Sequence, residues 1–87
     1  MVLRIDRVED GESVVFVLSG RIEAEYVDEL ERLFSQDGRT ITLDLKEVTL
    51  IDREVIDKIA RWEGEGIRLE NCPAYVRDWI EKLRIQK

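Results

Sequence analysis

The sequence predicts a single small α/β domain over residues 1–87, with element order ββαβαβα and a mixed sheet of about four strands covered by helices. Three observations predict it. Thr40-Ile-Thr-Leu-Asp-Leu45 alternates with a period of two, whereas after Asp52 the apolar residues Val55, Ile56, Ile59, Ala60 and Trp62 follow one helix face. Val14-Val-Phe-Val-Leu18 is a continuous apolar run of strand length, as expected of a central strand covered on both faces. Strands then alternate with amphipathic helices, which implies right-handed parallel crossovers after an initial hairpin.

In chain order, Val2–Val8 reads as a first strand. Asp10-Gly11 is a tight-turn pair that joins it to Val14–Leu18 as a hairpin. Gly20 breaks the strand pattern. Glu23–Ser35 reads as a helix with an apolar stripe of Ala24, Val27, Leu30 and Phe34, widened by Tyr26 and Leu33. Asp28 and Arg32 are ordered for an i,i+4 pair, and Gly38 is placed to cap the helix C-terminus. The strand Thr40–Leu45 follows, then a short connection through Val48 to Ile51. A helix opens at Asp52, whose carboxylate suits an N-cap, and runs to Glu63. Gly64 and Gly66 bracket its end, and Ile67–Glu70 is a short strand. Asn71-Cys72-Pro73 opens the last helix with Pro73 near its first position. Val76, Trp79, Ile80 and Leu83 form that helix's buried stripe. Arg77–Glu81 and Asp78–Lys82 are its i,i+4 pairs on the exposed side.

Composition removes several classes of function. A net charge of −6 argues against general affinity for nucleic acid or anionic membranes. One Cys and no His exclude an internal disulfide, Cys/His zinc sites and Ser–His or Cys–His catalysis. There is no apolar run of about 18 residues and no secretory leader pattern, so the expectation is a cytoplasmic protein with no direct membrane insertion. The glycines make no phosphate-loop spacing, and no cofactor is expected. Asp44 and Asp52 are two carboxylates that could serve acid–base chemistry or hold a divalent cation, but no third ligand or nucleophile motif joins them. The expectation is therefore not an enzyme. Cys72 reads as a small buried or capping residue, although a helix N-terminus can lower a thiol's pKa. Glu23, Glu25, Asp28, Glu29 and Glu31 form a solvated acidic face able to steer a basic partner.

Four ordered pieces carry a family resemblance: Gly20-Arg21-Ile22, Asp44-Leu45, Val48-Thr49-Leu50-Ile51-Asp52, and Gly66-Ile67-Arg68-Leu69 followed by Asn71-Cys72-Pro73. In this order and spacing they resemble the STAS domain, shared by sulfate-transporter tails and anti-sigma-factor antagonists, over essentially the whole chain. The resemblance implies a regulatory protein–protein interaction domain. Its partner surface would comprise Gly20, Arg21, Asp44, Leu50, Ile51, Asp52, Arg53, Glu54 and Val55, with Asp44 and Asp52 in one acidic pocket. The implied partner is an ATPase-fold anti-sigma kinase or, for the transport-associated branch, a transporter subunit. A small ligand in the strand-end crevice is a further alternative.

The departure from the family lies at its phosphorylation motif. Where regulatory members carry Ser-Ser-Gly, this chain carries Arg53-Glu54-Val55. Glu54 stands at the phosphosite and offers no hydroxyl. It carries roughly one negative charge against about 1.5–2 for phosphoserine, so it either imitates the modified state or leaves a constitutive surface. As an ordinary first-turn acid it also suits the helix dipole, with Lys58 at i+4. Val55 in place of Gly is expected to hold a partner away from the helix start.

Overall fold

A computed structural model describes residues 3–85. Its elements are β1 (Arg4–Asp10), β2 (Ser13–Ile22), a 3₁₀ turn (Ala24–Tyr26), α1 (Val27–Gln36), β3 (Thr40–Ile51), α2 (Arg53–Gly64), β4 (Arg68–Glu70) and α3 (Ala74–Ile85). The four strands form one mixed sheet in the order β1-β2-β3-β4, with β1 antiparallel to β2 and the other pairs parallel. The α/β class, the element order and the strand count therefore match expectation.

Strand parity decides what each face does. Val14, Phe16 and Leu18 of β2 lie in register with Ile41 and Leu43 of β3, and all are buried. Phe16 packs on Phe34 of α1 at 5.6 Å between ring centroids, and Phe34 meets Trp62 of α2 edge-on at 5.0 Å. This aromatic column, with Leu30, Ile59, Val76 and Ile80, joins the sheet to all three helices in one core. Val15 and Val17 have the opposite parity and are only half-buried, beside an exposed Val8 in register with Val15. The helices thus cover one face of the sheet, and the expectation that Val14–Leu18 is covered on both faces does not hold. The reason is that successive right-handed crossovers step in one direction, β2 to β3 to β4, and so stack their helices on one side.

Several boundaries differ from expectation. The first strand lies at Arg4–Asp10; Val2 falls outside the described residues. The hairpin turn centres on Gly11-Glu12, with Gly11 at φ +63. Gly20 does not end β2: at φ +99 it sits inside the strand, next to a register shift. Strand β3 does not end at Leu45 but continues to Ile51. It gains two residues on β2, since Val17 pairs with Asp44 and Ile22 with Ile51. Lys46 and Glu47 interrupt the apolar alternation there because the bulged strand re-aims its side chains. The first helix opens with the 3₁₀ turn, and Ala24 is exposed rather than part of the stripe.

Helix ends also differ. Gly38 is no αL cap; α1 stops at Gln36, and extended Asp37 follows. Gly66 at φ +112 closes α2 instead: its N–H donates to Glu63 O, and Ile67 N–H donates to Trp62 O. Pro73 precedes α3 as its N-cap, its carbonyl accepting from Val76 and Arg77 N–H. Neither Arg77–Glu81, Asp78–Lys82 nor Asp28–Arg32 forms an ion pair among the described residues. Arg77 is drawn across to Glu63 of α2, where both carboxylate oxygens accept at 3.0 Å.

Candidate functional site

The β2–β3 register builds one pole of the molecule. Arg21 is level with Leu50 and Ile22 with Ile51, and Asp52 N–H donates to Ile22 O at 3.1 Å. The Gly20–Arg21 and Leu50–Glu54 stretches, separate in sequence, are thereby brought side by side. Leu50 is 42% exposed, and Arg53 and Glu54 are exposed on the first turn of α2. Gly20, Arg21 and Asp52 are half-buried. The Arg21 Nε is buried without a hydrogen-bond partner.

Three residues assigned to this surface face elsewhere. Ile51 and Val55 are buried in the core, Val55 completely. Its methyl groups point inward and leave the approach to the helix start open, contrary to expectation. Asp44 is displaced along the strand. Between its register position and that of Ile51, β2 takes five steps, which at about 3.3 Å each is roughly 16 Å. Asp44 and Asp52 therefore form no common acidic pocket. Asp44 Oδ1 instead accepts from Asn71 Nδ2 and from Lys46 N–H, both at 3.0 Å. It anchors the turn in which Asn71 takes φ +55. No group of three or more His, Cys, Asp or Glu side chains among the described residues could hold a metal ion.

Asp52 occupies the N-cap position by backbone alone. It is extended (φ −63, ψ 147), and its carbonyl accepts from Val55 and Ile56 N–H; its carboxylate makes no cap hydrogen bond. Glu54 makes no ion pair with Lys58 among the described residues, so it stands as a solvated charge at the positive end of α2.

Two residues of α3 complete the pole. Ile51 N–H donates to Tyr75 Oη at 3.2 Å, and Tyr75 is 48% exposed. Arg53 lies over the Trp79 ring, its guanidinium carbon 4.6 Å from the centroid, while Trp79 Nε1 donates to Asp57 Oδ1 at 3.3 Å. Tyr75 lay outside the apolar stripe in the sequence, and its one-turn spacing from Trp79 was the only signal available. Nearby, Cys72 is half-buried and burial pushes its thiol up, with Arg77 opposing more weakly. The helix start does not activate it. Glu63, held first by Arg77 and also by Arg84 at 2.6 Å, has its carboxyl below the usual range.

No family model matches the chain, and no curated protein matches it. Eight chains of solved structures do. One, described as a crystal structure analysis of Mglu, superposes with a TM-score of 0.53 at 31% identity over 79% of this chain and 19% of that one. The chain thus spans about a fifth of that longer chain, and the likeness supports the small single α/β domain. No helix among the described residues is long and apolar enough to cross a membrane.

Proposed function

We propose that the chain is a non-catalytic, STAS-like regulatory domain that works in the cytoplasm by docking a protein partner. The observation that carries this reading is the β2–β3 register, which sets Gly20–Ile22 against Val48–Ile51 and presents Leu50, Arg53 and Glu54 at one exposed pole. Arg53 and the exposed Tyr75 are of the residue types enriched at interface centres. On this reading the protein is a diverged anti-sigma-factor antagonist whose partner is an ATPase-fold kinase. Glu54 supplies a permanent charge where relatives are switched by phosphate. The second reading, a cytoplasmic subunit of a membrane transport complex, rests on the same sequence resemblance, whose transport-associated branch uses the domain in that way.

Affinity capture with mass spectrometry tests both, comparing wild type with Glu54→Ser and Arg53→Glu. Capture of an ATPase-fold kinase, stronger with Glu54→Ser and lost with Arg53→Glu, is the expected result. Transporter subunits held equally by wild type and Glu54→Ser would replace the first reading by the second. Partners retained in full by Arg53→Glu would overturn the assignment of the pole.

A further inference from the structure

The outermost strands of the sheet, β1 and β4, present unlike edges. Much of the charge on β1 is already committed: Arg4 pairs with Asp6 at 3.0 Å, Arg7 with Asp37 at 2.7 Å, and Glu9 with Arg39. A charged edge of that kind resists pairing. Strand β4 is shorter and consists of Arg68-Leu69-Glu70. It pairs with β3 through Thr42, Leu43 and Asp44, and among the described residues no strand lies on its other side. The backbone N–H and C=O groups of β4 that point away from β3 therefore have no strand to pair with. A groove of about 480 Å³ runs along this edge, lined by Glu63, Gly66, Ile67, Arg68, Leu69 and Glu70. Arg68 is level with Thr42, and Thr42 with Val15, so Arg68 and Glu70 stand on the sheet face without helices, both exposed. Leu69 is level with the buried Leu43, faces the helices and is half-buried. Neither Arg68 nor Glu70 makes an ion pair among the described residues. The neighbour of Glu70 on β3 is Asp44, a like charge, which favours a cation on its outer side.

We infer that β4 pairs antiparallel with β4 of a second copy of this chain. The strand's own sequence selects that occupant. Antiparallel pairing centred on Leu69 sets Arg68 opposite Glu70 of the second copy, Glu70 opposite its Arg68, and Leu69 opposite its Leu69. Directly opposed side chains lie about 4.5–5.5 Å apart at Cβ, within reach of an ion pair. The open face thus gains two cross-strand ion pairs from the residues that lack a partner. On the helix side, Leu69 meets its twin in the groove beside Glu63. The contact is isologous and closes on itself, whereas joining β4 to the β1 edge of another copy would propagate into an open chain. With three residues a side, the association belongs to the weak, transient class. Strand β4 lies beside Thr42–Asp44, away from Leu50 along β3, so this edge stands or falls separately from the pole.

The test is sedimentation equilibrium with amide-shift mapping, on dilution from about 1 mM to about 10 μM, the range of weak complexes. The mass should rise to that of a dimer with concentration, and the shifts should centre on Arg68, Leu69 and Glu70. Arg68→Glu sets carboxylates opposite carboxylates, and Glu70→Arg sets cations opposite cations. Each alone should weaken dimerisation by about tenfold or more. Both positions are exposed, so the fold should persist, which circular dichroism checks. The two single variants, mixed, should form a heterodimer of about wild-type strength, because their charges again oppose. The double variant Arg68→Glu/Glu70→Arg should self-associate as wild type does, since exchanging the two charges preserves the complementarity. A wild type monomeric throughout, a dimer indifferent to Arg68→Glu, or single variants that do not associate on mixing overturns the inference. Shifts centred on the Leu50–Glu54 pole also overturn it, since the two copies would then meet elsewhere.

Discussion

Placing a glycine at position 55 should cost this protein much of its stability. Val55 is fully buried on the first turn of α2, packed in the core. Removing its Cβ and two methyl groups forfeits about 2.4 kcal/mol of transfer free energy at roughly 0.8 kcal/mol per carbon, and the cavity left behind adds to that. Glycine's extra backbone freedom near a helix start adds about 0.5 kcal/mol more. Together the loss is about 3 kcal/mol. A domain of 87 residues is expected to hold only about 4–13 kcal/mol in total. Urea unfolding followed by circular dichroism reads this directly. With a slope near 1–1.5 kcal/mol/M, the midpoint should fall by about 2–3 M with the slope unchanged. Glu54→Ser is the built-in comparison, because Glu54 is exposed and its favourable place at the helix start is worth only about 0.3–1 kcal/mol. If Val55→Gly moves the midpoint no further than Glu54→Ser does, Val55 is not a core residue and the inward orientation assigned to it is wrong.

Other consequences can be measured on the same protein. The carboxyls of Glu9, Asp37 and Glu63 are all held below their ordinary range, chiefly by Arg39, Arg7 and Arg77 respectively. The unfolded chain therefore binds more protons in acid. Stability should be fully present above the unfolded carboxylate range, about pH 5, and fall as pH drops through the depressed values. Arg77→Gln should make that decline shallower, and an unchanged pH profile would refute the Glu63 assignment. Tyr75→Phe removes the acceptor of Ile51 N–H; it should cost about 1 kcal/mol and accelerate hydrogen exchange at that amide. Protection at Ile51 equal to wild type would exclude the bond. Cys72, half-buried with its thiol pushed up, should react with iodoacetamide near neutral pH more slowly than an unhindered peptide thiol; equal or faster reaction contradicts the burial.

The fold was legible wherever one period dominated. Val27, Leu30 and Phe34 on α1, and Val55, Ile56, Ile59 and Trp62 on α2, were visible as stripes and are buried as stripes. The alternation of Ile41, Leu43 and Leu45 gave the first half of β3. Its second half was hidden because the two residues gained on β2 scramble the alternation, and only the pairing partner reveals the strand. The continuation of β3 to Ile51 removed Asp44 from the pole: eight positions of sequence were compatible with a compact loop, and the extended strand carries the two aspartates apart. The outward direction of Leu50, Arg53 and Glu54 was legible as polarity and position. The roles of Tyr75, Trp79 and Arg77 were not, because each is fixed by a contact with a distant element: Ile51, Asp57 and Glu63. Local i,i+4 arithmetic assigned Arg77 to Glu81, but a half-buried carboxylate reached by two arginines outcompetes a solvated neighbour.

The two tryptophans divide the molecule's optical properties between them. Trp62 is sealed in the core against Phe34, its indole N–H committed to Glu31, so its emission registers only whether the chain is folded. Trp79 lies half-buried beneath the Arg53 guanidinium, beside the Leu50–Glu54 pole. Anything that lifts Arg53 changes its surroundings while leaving Trp62 dark to the event. Replacing either one by phenylalanine therefore separates two signals in a single cuvette, one reporting integrity and the other occupancy, with no added label.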